Sequence, residues 1–137
     1  MYEWPVIKIK AELARKLPAV QGDVTLLRQV LHNLLQNAQD ALDGQPEPII
    51  GISSEVANGK IKLTISDNGC GFSLDMMAHV FEPYVTTKHH GTGLGLTIVK
   101  KIVEEHKGSI KIENRKQGGA RVTVLLPMAI KTMEHKE

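Results

Sequence analysis

Apolar and polar positions alternate or recur along most of this chain, and their spacing predicts an element for each part. Residues 6 to 12 alternate apolar and charged side chains, which is the period of a half-buried strand. Between Leu27 and Leu42, apolar residues recur every three or four positions, which predicts an amphipathic helix of about five turns. Asp23 stands where that helix would take its N-cap.

The middle of the chain predicts a hairpin followed by two helices. Residues 49 to 56 and 60 to 66 have strand character and meet at Asn58-Gly59, a strong signal for a tight turn. A short helix is expected from Ser73 to Val80. A glycine-rich loop leads to a second helix, for which Lys107-Gly108 is a C-terminal glycine signal; its apolar positions are Ile98, Val99, Ile102 and Val103.

The C-terminal part predicts a closing hairpin. Residues 109 to 114 and 120 to 126 alternate again, and residues 128 to 137 form a polar tail that we expect to fray. Hairpins interleaved with amphipathic helices predict an α+β fold, a two-layer α/β sandwich in which helices cover one face of a mixed sheet.

Composition narrows the class of protein. A length of 137 residues fits one domain with a real core, and 42% hydrophobic with 23% charged residues is typical of a globular protein. A net charge of +2 gives no reason to expect nucleic acid as a partner. No apolar run approaches the roughly 18 residues of a membrane span, so no membrane contact is expected. The single cysteine, Cys70, excludes an internal disulfide, and a cytoplasmic location is expected.

Two asparagines in the long predicted helix are candidates for metal binding. Asn33 and Asn37 stand four residues apart, so they share one helix face about 6 Å apart along the axis. An amide oxygen is a hard neutral ligand, suited to Mg²⁺ that phosphates and water already hold. A lone asparagine in a helix more often faces solvent, but two beside the apolar stripe, with Asp40 further on, favour a site.

A carboxylate follows the second strand of the central hairpin. Asp67 precedes Gly69 and Gly71, and a carboxylate fixed at a strand end can accept a hydrogen bond from the exocyclic amine of adenine. The glycines would let backbone approach the ring and adopt positive φ. Asp-Asn-Gly is also a common tight turn, which is the alternative interpretation of this segment alone.

Three alternating glycines stand directly before the second long helix. Backbone amides around Gly91, Gly93 and Gly95, with the helix N-terminus, would form an anion site for phosphates. The spacing matches neither a dinucleotide fingerprint nor a Walker loop, and a flexible turn is the alternative. Upstream, Phe81, Pro83 and Tyr84 suggest an apolar hinge, and Thr86, Thr87 and Lys88 suggest phosphate-facing donors.

In order and spacing, these segments resemble the ATP-binding catalytic domain of bacterial sensor histidine kinases, in the superfamily shared with gyrase, MutL and the heat-shock chaperone ATPases. Residues 33 to 41 resemble its N box, 67 to 72 its first glycine box, 81 to 84 its F box, 91 to 96 its second glycine box and 118 to 127 its closing hairpin. The resemblance runs from residue 6 to 127, is greatest to the nitrogen-regulation and dicarboxylate sensor subgroup, and implies the Bergerat-type fold.

The resemblance implies roles for individual residues. Asn37 would be the Mg²⁺ ligand with Asn33 beside it toward the phosphates, Asp67 would recognise adenine, and residues 72 to 92 would form the ATP lid. No catalytic residue is assigned with certainty. The implied ATP-binding set is Asn33, Asn37, Asp40, Ala41, Asp67, Gly69, Gly71, Phe72, Thr87, Lys88, Gly91, Thr92, Gly93, Leu94, Gly95 and Leu96.

One position separates transfer from hydrolysis. The hydrolysing relatives carry glutamate four residues before the metal-binding asparagine, where it activates water as a general base. This chain has Asn33 there, which cannot take a proton. We therefore expect a domain that holds Mg·ATP and passes the γ-phosphoryl group to a nucleophile elsewhere.

Departures from the family pattern concern the other half of the kinase. The sequence has no His-Glu-x-x-x-Pro phosphoacceptor segment, lacks the helix that usually precedes the first strand, and carries Arg121 where threonine is common. Residues 1 to 127 would be the catalytic domain of a protein-histidine kinase, and an uncovered sheet face would favour low stability or association. The expected partners are a histidine-bearing dimerisation and phosphoacceptor domain, in the same parent protein or in trans, and indirectly a response regulator. The alternative is a nucleotide-binding interaction module without phosphoryl transfer of its own. Either could be the cytosolic part of a membrane-anchored sensor.

Overall fold

The computed structural model describes residues 6–15, 17, 19–83 and 95–129. Within these residues the structure has the elements that the sequence predicts, with small differences in their bounds. In chain order they are β1 (Lys8–Leu13), α1 (Val24–Ala41), β2 (Ile49–Ala57), β3 (Lys60–Asp67), α2 (Leu74–Ala78), α3 (Gly95–Glu105), β4 (Ser109–Asn114) and β5 (Ala120–Pro127).

The strands form one mixed sheet in the order β1-β2-β3-β5-β4. β1 runs parallel to β2, and the other neighbouring pairs are antiparallel. The β2–β3 turn has positive φ at both Asn58 (52°) and Gly59 (75°), as the Asn-Gly pair predicts. The predicted α+β fold with a mixed sheet is confirmed.

The two faces of the sheet differ in polarity because the register sorts alternate residues. Ile65 pairs with Ile52 on one side and Val122 on the other, so these apolar side chains share the face that meets the helices. The opposite face is polar and carries Lys62 beside Glu55. The sheet is therefore amphipathic, and its apolar face holds the core.

Helices α1 and α3 supply the second layer. Asp23 is the N-cap of α1, because its side chain accepts the backbone N–H of Leu26 at 3.1 Å. The apolar stripe of α1 and that of α3 pack against each other and against β3 and β4. The buried cluster comprises Val30, Leu34, Ala38, Leu42, Ile50, Ile65, Val99, Ile102, Val103 and Val124.

The end of α3 differs from the predicted glycine signal. Lys107, not Gly108, takes the left-handed conformation that ends the helix, with φ of 63°. Gly108 is needed for a different reason, because a Cβ there would overlap the carbonyl oxygen of Leu125 in β5. The side chain of His106 joins this end of α3 to the start of α1, since its Nε2 accepts the backbone N–H of Asp23 at 3.0 Å.

The first strand is exposed, which corrects the prediction that it is half-buried. All six residues of β1 are exposed, and Ile9 and Leu13 keep 61% and 60% of their surface. The reason is position: β1 is an edge strand, and the helices pack over other strands of the sheet. Only Ile7, just before the strand, packs against the core.

Two further segments bear on the predictions. The short helix is Leu74–Ala78, with Ser73 as N-cap accepting the N–H of Met76 at 3.1 Å. Of the predicted polar tail, residues 128 and 129 are described and half-buried, and Ala129 N–H donates to the carbonyl of Ala19 at 2.7 Å. Among the described helices, none combines the length and the apolar character that crossing a membrane requires.

Candidate functional site

Asp67 is the buried polar residue around which the candidate site is built. It ends β3 on the apolar face of the sheet and is only 6% exposed. Its Oδ1 accepts the backbone N–H of Gly69 at 2.8 Å and that of Ala120 at 3.4 Å. Two backbone donors on one oxygen fix the plane of the carboxyl group, so Oδ2 is the oxygen suited to a ligand.

The surroundings of Asp67 shift its ionisation. Burial raises the pKa of Asp67 above its usual value, because the charged form loses water. The N–H groups of Gly69 and Ala120, and the charge of Arg115, lower that pKa and offset part of the effect. The result is a desolvated acceptor of the kind found at recognition sites.

The loop after Asp67 packs tightly on the end of α1. A Cβ at Gly69 would overlap the carbonyl oxygen of Ala41, so this position requires glycine. The same carbonyl accepts the backbone N–H of Cys70 at 3.3 Å. Ala41, Asp67 and Gly69 all belong to the predicted ATP-binding set. The structure brings Ala41 into contact with the loop that follows Asp67.

The β4–β5 hairpin lies against the other side of Asp67. Its residues were not among the predicted site residues. Arg115 Nη1 donates to the backbone carbonyl of Asp67 at 2.8 Å, and Asn114 bonds to the backbone of Phe72. Gly119 has φ of 86°, and a Cβ there would overlap the Asp67 carbonyl. Gly118 and Gly119 lie in the segment that resembles the closing hairpin, but nothing local in the sequence links them to Asp67.

At the other end of the site, the two asparagines of α1 face the start of α3. Asn33 Nδ2 donates to the carbonyl of Gly95 at 3.5 Å. A Cβ added at Gly95 would lie 3.8 Å from Asn37 Oδ1, so the Asn37 amide also lies at this helix N-terminus. Backbone N–H groups and the helix dipole make such an N-terminus attractive to anions.

The residues from Asn33 to Ala41 therefore connect the two ends of the site. Eight residues of helix separate the Asn33 contact with α3 from the Ala41 contact with Gly69, a rise of about 12 Å. Asp40 lies on this helix and accepts Gln36 Nε2 at 3.0 Å. Half-buried Leu96, in the first turn of α3, packs against the core.

The start of the predicted hinge is attached to α3. Thr97 Oγ1 donates to the carbonyl of Phe81 at 2.8 Å, and Lys100 Nζ lies 4.8 Å from the centre of the Phe81 ring. Residues 84 to 94, which follow Pro83, lie outside the described part of the chain. Several predicted residues therefore also lie outside the described part: Tyr84 of the hinge, the suggested donor Thr86, and the site residues Thr87, Lys88, Gly91, Thr92, Gly93 and Leu94.

We expect a metal ion at this site only together with a bound phosphate ligand. Within residues 6–15, 17, 19–83 and 95–129, no group of three or more His, Cys, Asp or Glu side chains could hold a metal. Asn37 offers a neutral amide oxygen beside a helix N-terminus, a donor set that fits Mg²⁺ arriving with phosphates. Among the described residues, the arrangement offers no site at which protein groups alone would hold a metal.

Comparison with known proteins gives a family match over most of the chain. Residues 22–130 match the family described as histidine kinase-, DNA gyrase B- and HSP90-like ATPase. The sensor histidine kinase ZraS of Escherichia coli O157:H7 is 41% identical over 114 residues, which cover 83% of this chain and 24% of ZraS. The chain thus spans about a quarter of the length of that relative.

Solved structures give the same result. The nucleotide-free catalytic domain of histidine kinase ThkA superposes with a TM-score of 0.78 at 34% identity, covering 89% of this chain and 80% of that one. Full-length ShkA in complex with AMPPNP superposes with a TM-score of 0.74 at 27% identity, covering 92% of this chain and 26% of that one.

Proposed function

This chain belongs to the family of histidine kinase-, DNA gyrase B- and HSP90-like ATPases, and we propose that it holds Mg·ATP and transfers the γ-phosphoryl group to a histidine. The observation that carries the proposal is that α1 contacts both ends of the site, the loop after Asp67 through Ala41 and the start of α3 through Asn33. The acceptor histidine would lie on a separate dimerisation and phosphoacceptor domain, in the same parent protein or in trans. A response regulator would receive the phosphoryl group afterwards.

At the base end, Asp67 would recognise adenine. Its Oδ2 would accept a hydrogen bond from the exocyclic amine, which guanine does not present at that position. The carboxyl plane is already fixed by Gly69 and Ala120, so little ordering is needed on binding. Gly69 and Gly71 would let the backbone of this loop approach the ring.

At the phosphate end, the N-terminus of α3 and the asparagine side chains of α1 would bind the phosphates and Mg²⁺ together. Asn37 would be the Mg²⁺ ligand, Asn33 would lie toward the phosphates, and Gly95 would present backbone to them. Bound Mg²⁺ would supply neutralisation of phosphate charge. Residues 87, 88 and 91–94 belong to the same proposal through the family motif.

Transfer needs positioning more than covalent chemistry by the protein. An imidazole nitrogen of the acceptor forms the new bond to the γ-phosphorus, while the bond to the β,γ-bridging oxygen breaks and ADP leaves with that electron pair. Asn33 cannot act as a general base for water, so this site favours the histidine nucleophile over hydrolysis.

The proposal is tested by adding labelled Mg·ATP and a separate phosphoacceptor domain to the chain. We expect acid-labile phosphohistidine with the wild type and a large loss with Asn37→Ala. Undiminished transfer by Asn37→Ala would show that the metal assignment is wrong. Tight Mg·ATP binding without transfer to any cognate acceptor would instead favour the nucleotide-binding interaction module.

The adenine assignment has its own test. Calorimetry should show Mg·ATP binding more tightly than Mg·GTP, and Asp67→Asn should lower the ATP affinity by about 10- to 100-fold, the range for a hydrogen bond to a charged group. Asp43→Asn, at an exposed position after α1, is the matched control. Equal affinity of the wild type for both nucleotides would contradict the assignment.

A further inference from the structure

Asn114 forms a two-bond clamp on the backbone of Phe72. Its Oδ1 accepts the Phe72 N–H at 2.8 Å, and its Nδ2 donates to the Phe72 carbonyl at 2.7 Å, although 42 residues separate the two. One side chain therefore satisfies both backbone groups of one residue, as a neighbouring strand would. Only a primary amide carries the acceptor and the donor in that geometry.

The clamp lies at the exit of the loop that follows Asp67. Gly71, just before Phe72, has φ of 71°, and a Cβ there would come within 2.9 Å of Asn114 Oδ1. Next to Asn114, Arg115 binds the carbonyl of Asp67 at 2.8 Å. Two consecutive hairpin residues thus hold both ends of the loop from residue 67 to 72.

Arg115 is itself held in place. Its backbone N–H donates to the carbonyl of Gly119 at 2.8 Å, which closes the turn of the hairpin. The hairpin is therefore a stiff support, and the loop is the part it supports. Displacement of Phe72 would change the path of Gly71 and the space beside the Asp67 carboxyl group.

We propose that Asn114 is a positioning residue for the base end of the nucleotide site. It does not touch the nucleotide; it fixes the Gly71–Phe72 backbone, and this backbone sets the width of the slot that receives adenine. The inference rests on the proposed function, because it assumes adenine beside Asp67. Its effect belongs to nucleotide affinity, not to the phosphoryl-transfer step.

This role differs measurably from a merely structural one. Loss of a structural contact would lower stability and would weaken every ligand of the site equally. Loss of base-end positioning should weaken Mg·ATP while Mg·tripolyphosphate, which has no base, binds as before. In a transfer assay, KM for ATP should rise while kcat stays unchanged.

The test uses Asn114→Ala, which loses both bonds, and Asn114→Asp, which keeps the bond from the Phe72 N–H but faces the Phe72 carbonyl with a second oxygen. Lys116→Ala, at an exposed position in the same hairpin, is the matched control. Affinities are measured by calorimetry well below the melting temperature of each variant. Amide hydrogen exchange at Phe72 reports the clamp itself.

We expect both variants to weaken Mg·ATP by about tenfold or more, the effect of losing one or two net hydrogen bonds. Tripolyphosphate affinity should be unchanged, and Lys116→Ala should match the wild type. If Asn114→Ala does not fold, Asn114→Asp carries the same expectation. A folded variant with wild-type Mg·ATP affinity, or equal weakening of both ligands, would overturn the inference. A wild-type protein that does not bind Mg·ATP would overturn the proposed function instead.

Discussion

The carboxyl oxygen Oδ1 of Asp67 accepts the backbone N–H of Ala120 at 3.4 Å, although 53 residues separate them in sequence. The bond joins the end of β3 to the start of β5, so the hairpin orients the buried acid. The orientation of this acid thus depends on the start of β5 as well as on the Asp-Asn-Gly turn, whose Gly69 N–H binds the same oxygen at 2.8 Å. Its ionisation then links stability to pH.

Replacing Asp67 with asparagine should stabilise the nucleotide-free protein at neutral pH. A carboxyl whose pKa is raised in the folded state adds stability below the unfolded value, here 3.8, and this contribution is lost as pH rises through the folded-state pKa. The amide of Asp67→Asn never ionises. Its advantage in thermal unfolding should therefore be greatest near pH 7 and shrink as pH falls toward 3.8.

Thermal unfolding of Asp67→Asn and wild type between pH 4 and pH 7 measures this difference, and Asp43→Asn serves as the exposed control. A pH-independent difference, or a less stable variant at pH 7, would contradict the expectation. Over the same range, Mg·ATP affinity of the wild type should fall on acidification, because protonated Asp67 accepts the adenine amine less well.

Two adjacent glycines should respond differently to alanine. Gly118 and Gly119 both have positive φ, 107° and 86°, so each alanine carries a left-handed strain of about 1–2 kcal/mol. A Cβ at Gly118 meets nothing within 4 Å, whereas one at Gly119 overlaps the carbonyl of Asp67. Gly118→Ala should lower stability modestly and leave Mg·ATP affinity intact.

Gly119→Ala should lower both quantities, because the overlap can be relieved only by moving the backbone that carries Asp67. Chemical denaturation gives the free energies of unfolding, and calorimetry gives the affinities. Similar behaviour of the two variants would show that strain alone matters at this turn.

Asn33→Glu should raise ATP hydrolysis. A carboxylate at this position could take a proton from water, and general-base catalysis typically contributes about 10²–10⁴-fold, so an increase of at least about tenfold in phosphate release is expected. Asn33→Gln is the matched control, since it has similar size and cannot take a proton. Equal rates for the two variants, with Mg·ATP still bound, would argue against the general-base explanation.

Thr97→Val should loosen the segment at Phe81. The variant keeps the shape of threonine but loses the hydroxyl that donates to the Phe81 carbonyl at 2.8 Å, a net loss of about 1 kcal/mol. Amide hydrogen exchange at residues 79–82 should speed up, and the free energy of unfolding should fall. Thr97→Ser, which retains the hydroxyl, should behave like the wild type; unchanged exchange in Thr97→Val would contradict the role of this bond.

The fold was predictable because its elements follow local rules. The stripe around Leu34, the Asn58-Gly59 turn and the strand alternation each depend on neighbouring residues, and the structure confirms them. The exposure of β1 was not predictable, because alternation reports the period of a strand and not whether a helix covers it. The sequence predicts the place where α3 ends, but its left-handed residue is Lys107, and Gly108 instead allows a close approach to Leu125 of β5.

The residues of the candidate site also fall into those that the sequence predicts and those that it does not. Asp67 and Asn33 stand in short motifs, so sequence alone could name them. Asn114, Arg115 and Ala120 act through contacts with backbone or with Asp67 across 42 to 53 residues, and such contacts leave no periodic or spacing signal. The sequence therefore predicts the residues that would contact a ligand more readily than it predicts the residues that hold them in position.

The exposed first strand has a consequence for the behaviour of this protein in concentrated solution. Among the described strands β1 pairs with β2 alone, and the outer backbone edge of such a strand is the kind of surface on which a strand of another molecule can pair and start aggregation. Lys8, Lys10 and Glu12 alternate along this strand and are exposed. Charges on an edge strand oppose such pairing, because an incoming strand would have to remove them from water. The alternation of charged residues that identifies β1 as a strand thus also opposes the addition of a strand from another molecule.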